Sequence, residues 1–255
     1  MTMPHNASPA TTQLDTAPVP DLFREELDTV LWIEQQVRDG RPLPVLEADA
    51  VVHSLFVSLQ QAGPRSLPQL PLHDMTRYVA VHAVNVSILA MALAEHAGLD
   101  PGAARDAGMA GLLHDIGMAR VPVDILAKAE QLAEDERERV KEHPVEGARI
   151  IVEADAALDL AAVAAFEHHL RPDGSGYPKL RFPRAGHYMS RLVQICDIYH
   201  ALRSPRPFRK AWPEDIVLSF VNERAGFEFD PELAARLTRL VAERTGTEGQ
   251  MRARP

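Results

Sequence analysis

An all-α fold is the architecture this sequence predicts. Apolar residues recur at helical spacing through most of 21–244, alternation of β-branched residues is nowhere sustained, and proline and glycine punctuate the periodic stretches. Residues 1–20 carry Pro4, Pro9, Pro18 and Pro20 among Ser, Thr and Ala without apolar periodicity, and read as a disordered lead. Two helical segments follow. The first holds Leu22, Leu27, Val30, Leu31 and Ile33, and the second holds Leu46, Val51, Leu55 and Leu59, with Pro42 and Pro44 between them. A loop with Pro64, Pro68 and Pro71 closes this helical N-terminal segment, 21–72.

The main body spans 73–241. In its first helix Val79, His82, Val86 and Leu89 share one stripe. Asp100-Pro101 starts the next, with an oxygen at the cap and proline at the first helical position. That helix is expected to run to His114-Asp115 and to stop at Gly117. Further helices are expected over about 133–141, 144–153, 157–169, 187–203, 213–223 and 231–244. Residues 242–255 read as a flexible tail.

Composition narrows the function. Among 255 residues, 27 basic and 36 acidic side chains give a net charge of −9. Broad nucleic-acid binding needs a basic footprint and is disfavoured, whereas one small phosphorylated ligand held by a local basic cluster is not. Cys196 is the sole cysteine, so no intramolecular disulfide forms and a reducing cytoplasm is the expected compartment. The N-terminus has no basic region leading into an apolar stretch, and apolar runs such as Ile88 to Ala94 are short for a bilayer. A cytoplasmic protein without membrane insertion is the expectation.

Most of the eleven histidines carry no pattern; His5, His53, His73, His96 and His187 read as ordinary surface or core residues. Two pairs differ. His114-Asp115 precedes Gly117, and Glu167-His168-His169 precedes Leu170-Arg171-Pro172-Asp173-Gly174-Ser175-Gly176-Tyr177-Pro178. Both pairs fall at predicted helix ends, where the dipole favours a cation. Neighbours about 100° apart around the helix can embrace a site beyond its end. Asp197 lies in the apolar helix Leu192-Val193-Gln194-Ile195-Cys196-Asp197-Ile198, where a carboxylate is costly to bury unless it is paired or metal-bound. Arg191 and Arg203 offer the salt-bridge alternative. His143-Pro144 reads as a helix start. In chain order, His82, His114, Asp115, His143, His168, His169 and Asp197 offer five imidazoles and two carboxylates, enough for two divalent ions with water and one shared carboxylate. A nitrogen and oxygen set without thiolate suits iron, manganese, zinc, cobalt or nickel better than calcium.

By that order and spacing the chain resembles the HD-GYP family of bacterial cyclic-di-GMP phosphodiesterases, a branch of the HD hydrolase superfamily. The resemblance covers about 73–225. It rests on His82, His114-Asp115-Ile116-Gly117, His143-Pro144, His168-His169, the loop from Asp173 to Pro178, Asp197-Ile198-Tyr199-His200-Ala201-Leu202, and Arg206-Pro207-Phe208-Arg209. It implies an HD-domain helical bundle carrying a short helical N-terminal extension. It also implies two metal ions, iron or manganese foremost. His82, His114, Asp115 and Asp197 would hold one, and His143, His168 and His169 the other, with Asp115 bridging. Catalysis would run through a metal-bridging hydroxide that opens cyclic di-GMP to a linear dinucleotide or GMP. Asp173, Gly174, Gly176, Tyr177 and Pro178 would shape the substrate loop, and Arg206 and Arg209 would meet phosphates or guanine edges.

Four positions depart from the family pattern. Met118 stands where a lysine is usual, three residues after the motif aspartate, and Leu170 replaces a glutamate after the paired histidines. Tyr78 occupies the place of a glutamate that helps hold a third metal, so two metals are expected. His200 replaces an acidic residue. Met118 and Leu170 support the alternative of a metal-loaded but weak or inactive cyclic-di-GMP receptor, and an HD hydrolase of another phosphoester is the third reading. Residues 21–72 are expected to pack on the main body or to make a dimer contact. Any regulation is expected through a protein partner, the lead segment or metal supply.

Overall fold

A computed structural model of the chain describes residues 23–62, 67, 69–72, 75–126, 128, 130–171, 173–182, 184–205 and 209–245. The 1–20 lead, Arg206 and most of the 242–255 tail lie outside the described residues. The chain forms α1 (Arg24–Arg38), α2 (Val45–Ala62), α3 (Tyr78–His96), α4 (Pro101–Leu113), α5 (Val123–Leu126), α6 (Glu134–Val140), α7 (His143–Ala154), α8 (Asp159–Glu167), α9 (Tyr188–Arg203), α10 (Glu214–Glu223) and α11 (Pro231–Thr245). Short 3-10 turns cover Met75–Arg77, Ile116–Arg120 and Ala156–Leu158. Among the described residues no strand forms; Ala225 and Phe229 make only an isolated bridge.

The central element is α3, flanked by α1, α2, α4, α9 and α11. It is long and apolar enough to cross a membrane, but 89% of that window is buried inside the bundle, so here it forms the core. Val84, Ile88, Leu89, Met91 and Leu93 are inaccessible to solvent. The main chains of α3 and α4 approach closely because Gly111 has no side chain: a Cβ there would lie 2.9 Å from Cα of Ser87. The hydroxyl of Ser87 then donates to the Gly108 carbonyl at 2.8 Å. At the start of α4, Oδ1 of Asp100 accepts from the Ala103 amide at 3.0 Å, and Pro101 takes the first turn.

The N-terminal helices cover one side of this core. Leu27, Val30, Ile33 and Val37 form the buried stripe of α1, and Val51, Val52, Leu55 and Leu59 that of α2. Both helices pack against α3, with α2 also on α4 and α1 on the 3-10 turn at Ile116–Arg120. At the other end α11 continues through Thr245, with Val241 and Ala242 buried, so helix persists past 241.

Gly117 does not stop a helix. The α-helix ends earlier, at Leu113, and the chain continues through a turn at His114 and Asp115 into Ile116–Arg120. Gly117 is needed for a close approach instead: a Cβ there would sit 2.0 Å from the His143 carbonyl oxygen and 2.6 Å from the Gly147 nitrogen. Likewise α8 ends at Glu167, which leaves His168 and His169 in a turn beyond it. The four-residue α5 has no counterpart among the predicted segments.

A candidate metal centre

Helix ends and core helices deliver the site. His82 comes from the second turn of α3 and Asp197 from the middle of α9. His114 and Asp115 follow α4, His143 opens α7, and His168 and His169 follow α8. Ligand atoms within 4.8 Å of one another define three overlapping groups. One is His82, His114 and Asp115; another is Asp115, His143, His168 and His169; the third is His114, His168 and Asp197. All seven residues singled out in the sequence therefore converge, and Asp115 belongs to the two groups expected to hold separate ions.

The hydrogen bonds decide which atoms face the centre. Nδ1 of His114 lies 2.7 Å from the Gly111 carbonyl oxygen, Nδ1 of His143 2.7 Å from that of Val140, and Nδ1 of His168 2.9 Å from that of Ala165. A carbonyl oxygen only accepts, so each Nδ1 carries a proton and each Nε2 is left to give a lone pair to a cation or, without one, to take a proton against Asp115. The Nε2 atoms of His143 and His168 face each other at 3.3 Å and lie 3.2 and 3.5 Å from Oδ1 of Asp115. Nε2 of His114 is buried without a hydrogen-bond partner and lies 3.5 Å from Oδ2 of Asp115. Lone pairs and carboxylate oxygens gathered this closely repel one another unless positive charge sits among them. The donor set thus fits divalent cations, and the carbonyls that fix the rings are the outer support such ligands require.

His82 is held differently. Its Nε2 lies 3.0 Å from Oδ1 of Asp197, and its Nδ1 lies 2.7 Å from Nδ1 of His200. Asn85 organises this side: its amide exchanges two hydrogen bonds with the Leu70 main chain, at 2.7 and 2.8 Å, and Nδ2 also donates to Nε2 of His200 at 2.9 Å. The Tyr78 ring stacks on His82, with centroids 5.4 Å apart. Neither arginine offered as a salt-bridge partner meets Asp197. Arg191 pairs with Asp230 at 3.1 Å, and Arg203 donates to the Trp212 carbonyl at 2.9 Å.

Electrostatics follow from this crowding. Burial pushes Asp115 up, but the charge of His114 and the hydrogen bonds of His143 and His168 outweigh it and hold the carboxyl well below the usual range. Burial likewise raises Asp197, and the hydrogen bond and charge of His82 outweigh that. Burial and the neighbouring His168 push His169 well below the ordinary imidazole value. His143 is raised overall: burial lowers it, and its hydrogen bond to Asp115 more than compensates.

The loop after His169 is built against the cluster. The Tyr177 amide donates to the His169 carbonyl at 3.1 Å, and the two rings lie 4.5 Å apart. Gly176 permits this, because a Cβ there would sit 2.0 Å from the His169 carbonyl oxygen. Gly174 turns with φ +76°, and Oδ1 of Asp173 accepts from the Ser175 amide at 2.8 Å. Gly174 and Pro178 line the outer flank of the loop, away from the histidines. Arg209 is directed elsewhere: its guanidinium donates to the Ala201 and Leu202 carbonyls at 2.8 and 3.2 Å, near the end of α9. Leu170 offers its carbonyl oxygen to Nε2 of Gln194 at 2.8 Å.

Three residues near the cluster escaped the sequence reading or entered it only as a departure. His200 follows Asp197 by three positions, and Asn85 follows His82 by three, so each pair shares a helix face. Glu34 interrupts the apolar stripe of α1 and lines a cavity of about 10 Å³ together with Asp115. Burial pushes the Glu34 carboxyl up to about 7, against the lowering effect of Arg38. A carboxylate in an apolar stripe was the available signal.

Fold and cluster together define an all-helical protein built around a histidine and aspartate centre suited to metal. A family model described as HD domain matches residues 64–233, and the chain belongs to the HD-domain family. The cyclic di-GMP phosphodiesterase of Pseudomonas aeruginosa is 30% identical over 243 residues, covering 94% of this chain and 58% of that protein. A 3'3'-cGAMP-specific phosphodiesterase of Vibrio cholerae is 32% identical over 164 residues, 64% of this chain and 35% of that protein. The chain thus spans less than two thirds of the length of these relatives. Among solved structures, an HDG"Y"P protein from Bdellovibrio bacteriovorus shares the fold with a TM-score of 0.64 at 17% identity, over 85% of this chain and 69% of that one.

Proposed function

We propose that this chain is a metal-dependent phosphodiesterase that hydrolyses a cyclic dinucleotide, cyclic di-GMP foremost, to a linear dinucleotide or GMP. The observation that carries the reading is the pair of donor groups sharing Asp115, with lone pairs turned inward by main-chain carbonyls. His82, His114, Asp115 and Asp197 would hold one divalent ion, and Asp115, His143, His168 and His169 the second, with iron or manganese favoured by the donor chemistry. Two such ions would supply Lewis acidity toward a phosphoryl oxygen and toward an attacking water. The chain's own part is to hold the rings rigid and to keep Asp115 ionised. Tyr177 sets an aromatic edge beside His169 where a nucleotide would enter. Relatives named for cyclic di-GMP and for 3'3'-cGAMP support this substrate class. The buried free thiol of Cys196 suits a reducing cytoplasm.

Protein loaded anaerobically with Fe(II) or Mn(II) should cleave cyclic di-GMP, and His114→Ala or Asp115→Ala should abolish turnover. Tight binding without product under every metal condition would overturn the enzyme reading. It would favour a metal-loaded receptor, the reading that Met118 and Leu170 support.

A further inference from the structure

Beside His168 and His169 a cavity of about 190 Å³ opens between the loop of Tyr177, α9 and the α10–α11 turn. It is smaller than the pocket of a whole drug-sized ligand and of a size for one planar base, with the rest of a ligand lying outside it. Tyr177 contributes a ring, Ile198 and Phe229 apolar surface, Arg171 a guanidinium and Glu228 a carboxylate. No part of the metal centre requires Arg171 or Glu228, and the sequence reading singled out neither as a recognition residue.

Glu228 is flanked by two cations. Arg171 lies 3.5 Å from one of its oxygens and Arg224 3.4 Å from the other. Its turn is tied as well: the Glu228 amide donates to the Arg224 carbonyl at 3.0 Å, and the Gly226 amide to the Phe229 carbonyl at 2.8 Å. Gly226 supplies the left-handed conformation, φ +88°, that the turn needs. Phe229 next to it is 2% exposed, whereas the Glu228 side chain remains 23% exposed and accessible from the cavity. A carboxylate positioned by two cations on a fixed turn is ready to accept hydrogen bonds from a ligand.

Guanine and adenine differ at the edge that would meet it. Guanine presents N1–H and the 2-amino group side by side, two donors matching two carboxylate oxygens. Adenine presents a lone pair at N1 and no 2-amino group, so acceptor would face acceptor. Sites built to receive a substrate's donors reject analogues that lack them far more strongly than apolar pockets reject a change of size. Stacking on an aromatic ring is indifferent to base identity and cannot make this distinction. We infer that Glu228 is a specificity-determining residue that selects guanine over adenine for the base seated beside His168 and His169. This inference rests on the cyclic-dinucleotide reading above and deepens it.

The test compares cyclic di-GMP with cyclic di-AMP on the metal-loaded full chain, by calorimetric binding and by KM and kcat. The unaltered protein should prefer cyclic di-GMP. Glu228→Gln, which keeps side-chain volume, should weaken cyclic di-GMP binding about tenfold or more. The loss should fall on KM, with cyclic di-AMP affected little and with metal content and melting temperature preserved. Glu228→Ala should give the same change in base preference. Equal loss toward both ligands would make Glu228 merely structural and overturn the inference. So would an unchanged preference in both variants, or an unaltered protein that cleaves both dinucleotides equally well. An unaltered protein that neither binds nor cleaves any cyclic dinucleotide would remove the functional reading itself, and this inference with it.

Discussion

Gly117→Ala offers a severe test of how the metal centre is assembled. The added methyl would lie 2.0 Å from the His143 carbonyl oxygen, whereas ordinary contact begins at about 3.4 Å. The obstacle is main chain on both sides, since the Gly147 nitrogen is 2.6 Å away, so no rotamer change relieves it. The 3-10 turn and α7 must separate by more than about 1 Å, at the upper end of the ~1–3 kcal/mol typical of overpacking. His143 rides on the first turn of α7, and its Nε2 stands 3.2 Å from Asp115. Separation would pull one donor out of the group formed with His168 and His169. Displacements of this size in catalytic geometry cost about 10²-fold in rate. The assay is metal content by elemental analysis, calorimetric titration with Mn(II), and turnover. The variant should fold with a lower melting temperature, lose the ion on the His143 side before the one on the His82 side, and turn over about 100-fold more slowly. Full loading of both sides with unaltered turnover would refute the argument that this contact positions His143.

Three further outcomes follow from other contacts. Glu34, buried with its carboxyl raised to about 7 from an ordinary 4.5, ionises in the unfolded chain before it does so in the folded one. Stability of the metal-free protein should therefore be greatest on this account below pH ~4.5 and decline as pH rises to about 7, by at most about 3 kcal/mol. Glu34→Gln should flatten that slope in urea unfolding at pH 5 and 8; an unchanged slope would show that Glu34 carries no such penalty. Asn85→Ala removes the anchor of His200 and should weaken cation binding on the His82 side by about 10- to 100-fold, read by Mn(II) titration. Met118→Lys should raise kcat by roughly 10- to 100-fold if the missing cation limits transition-state stabilisation. A rate at or below the unaltered one would mean that the limit lies elsewhere.

The parts legible in the sequence were those encoded locally. Helical periodicity located every α-helix but the four-residue α5, and the His-Asp and His-His pairs stood out because adjacent ligands at a helix end form a local pattern. Asp197 was legible as a carboxylate in an apolar stretch, although which partner answered its burial was not. The structure brings it to His82 rather than to Arg191 or Arg203. What escaped was relational. His200 looked like a departure from the family until α9 set it against His82, 118 positions away. Gly117 looked like a helix stop because the close approach of α7 cannot be seen from the residues beside it. That Arg209 also reaches the carbonyls at the end of α9 was not legible either, because a basic residue in a motif does not reveal which acceptors lie near it.

The two hydrogen bonds between Leu70 and Asn85 give the segment ahead of α3 a mechanical hold on the interior. Leu70 is main chain in the stretch that joins the N-terminal helices to the bundle, and Asn85 passes its hold to His200 and thence to His82. Three steps of rigid contact therefore link this strap to an imidazole at the centre. The side of the metal centre that holds His82 is therefore fastened to the segment that precedes the bundle as well as to the bundle itself.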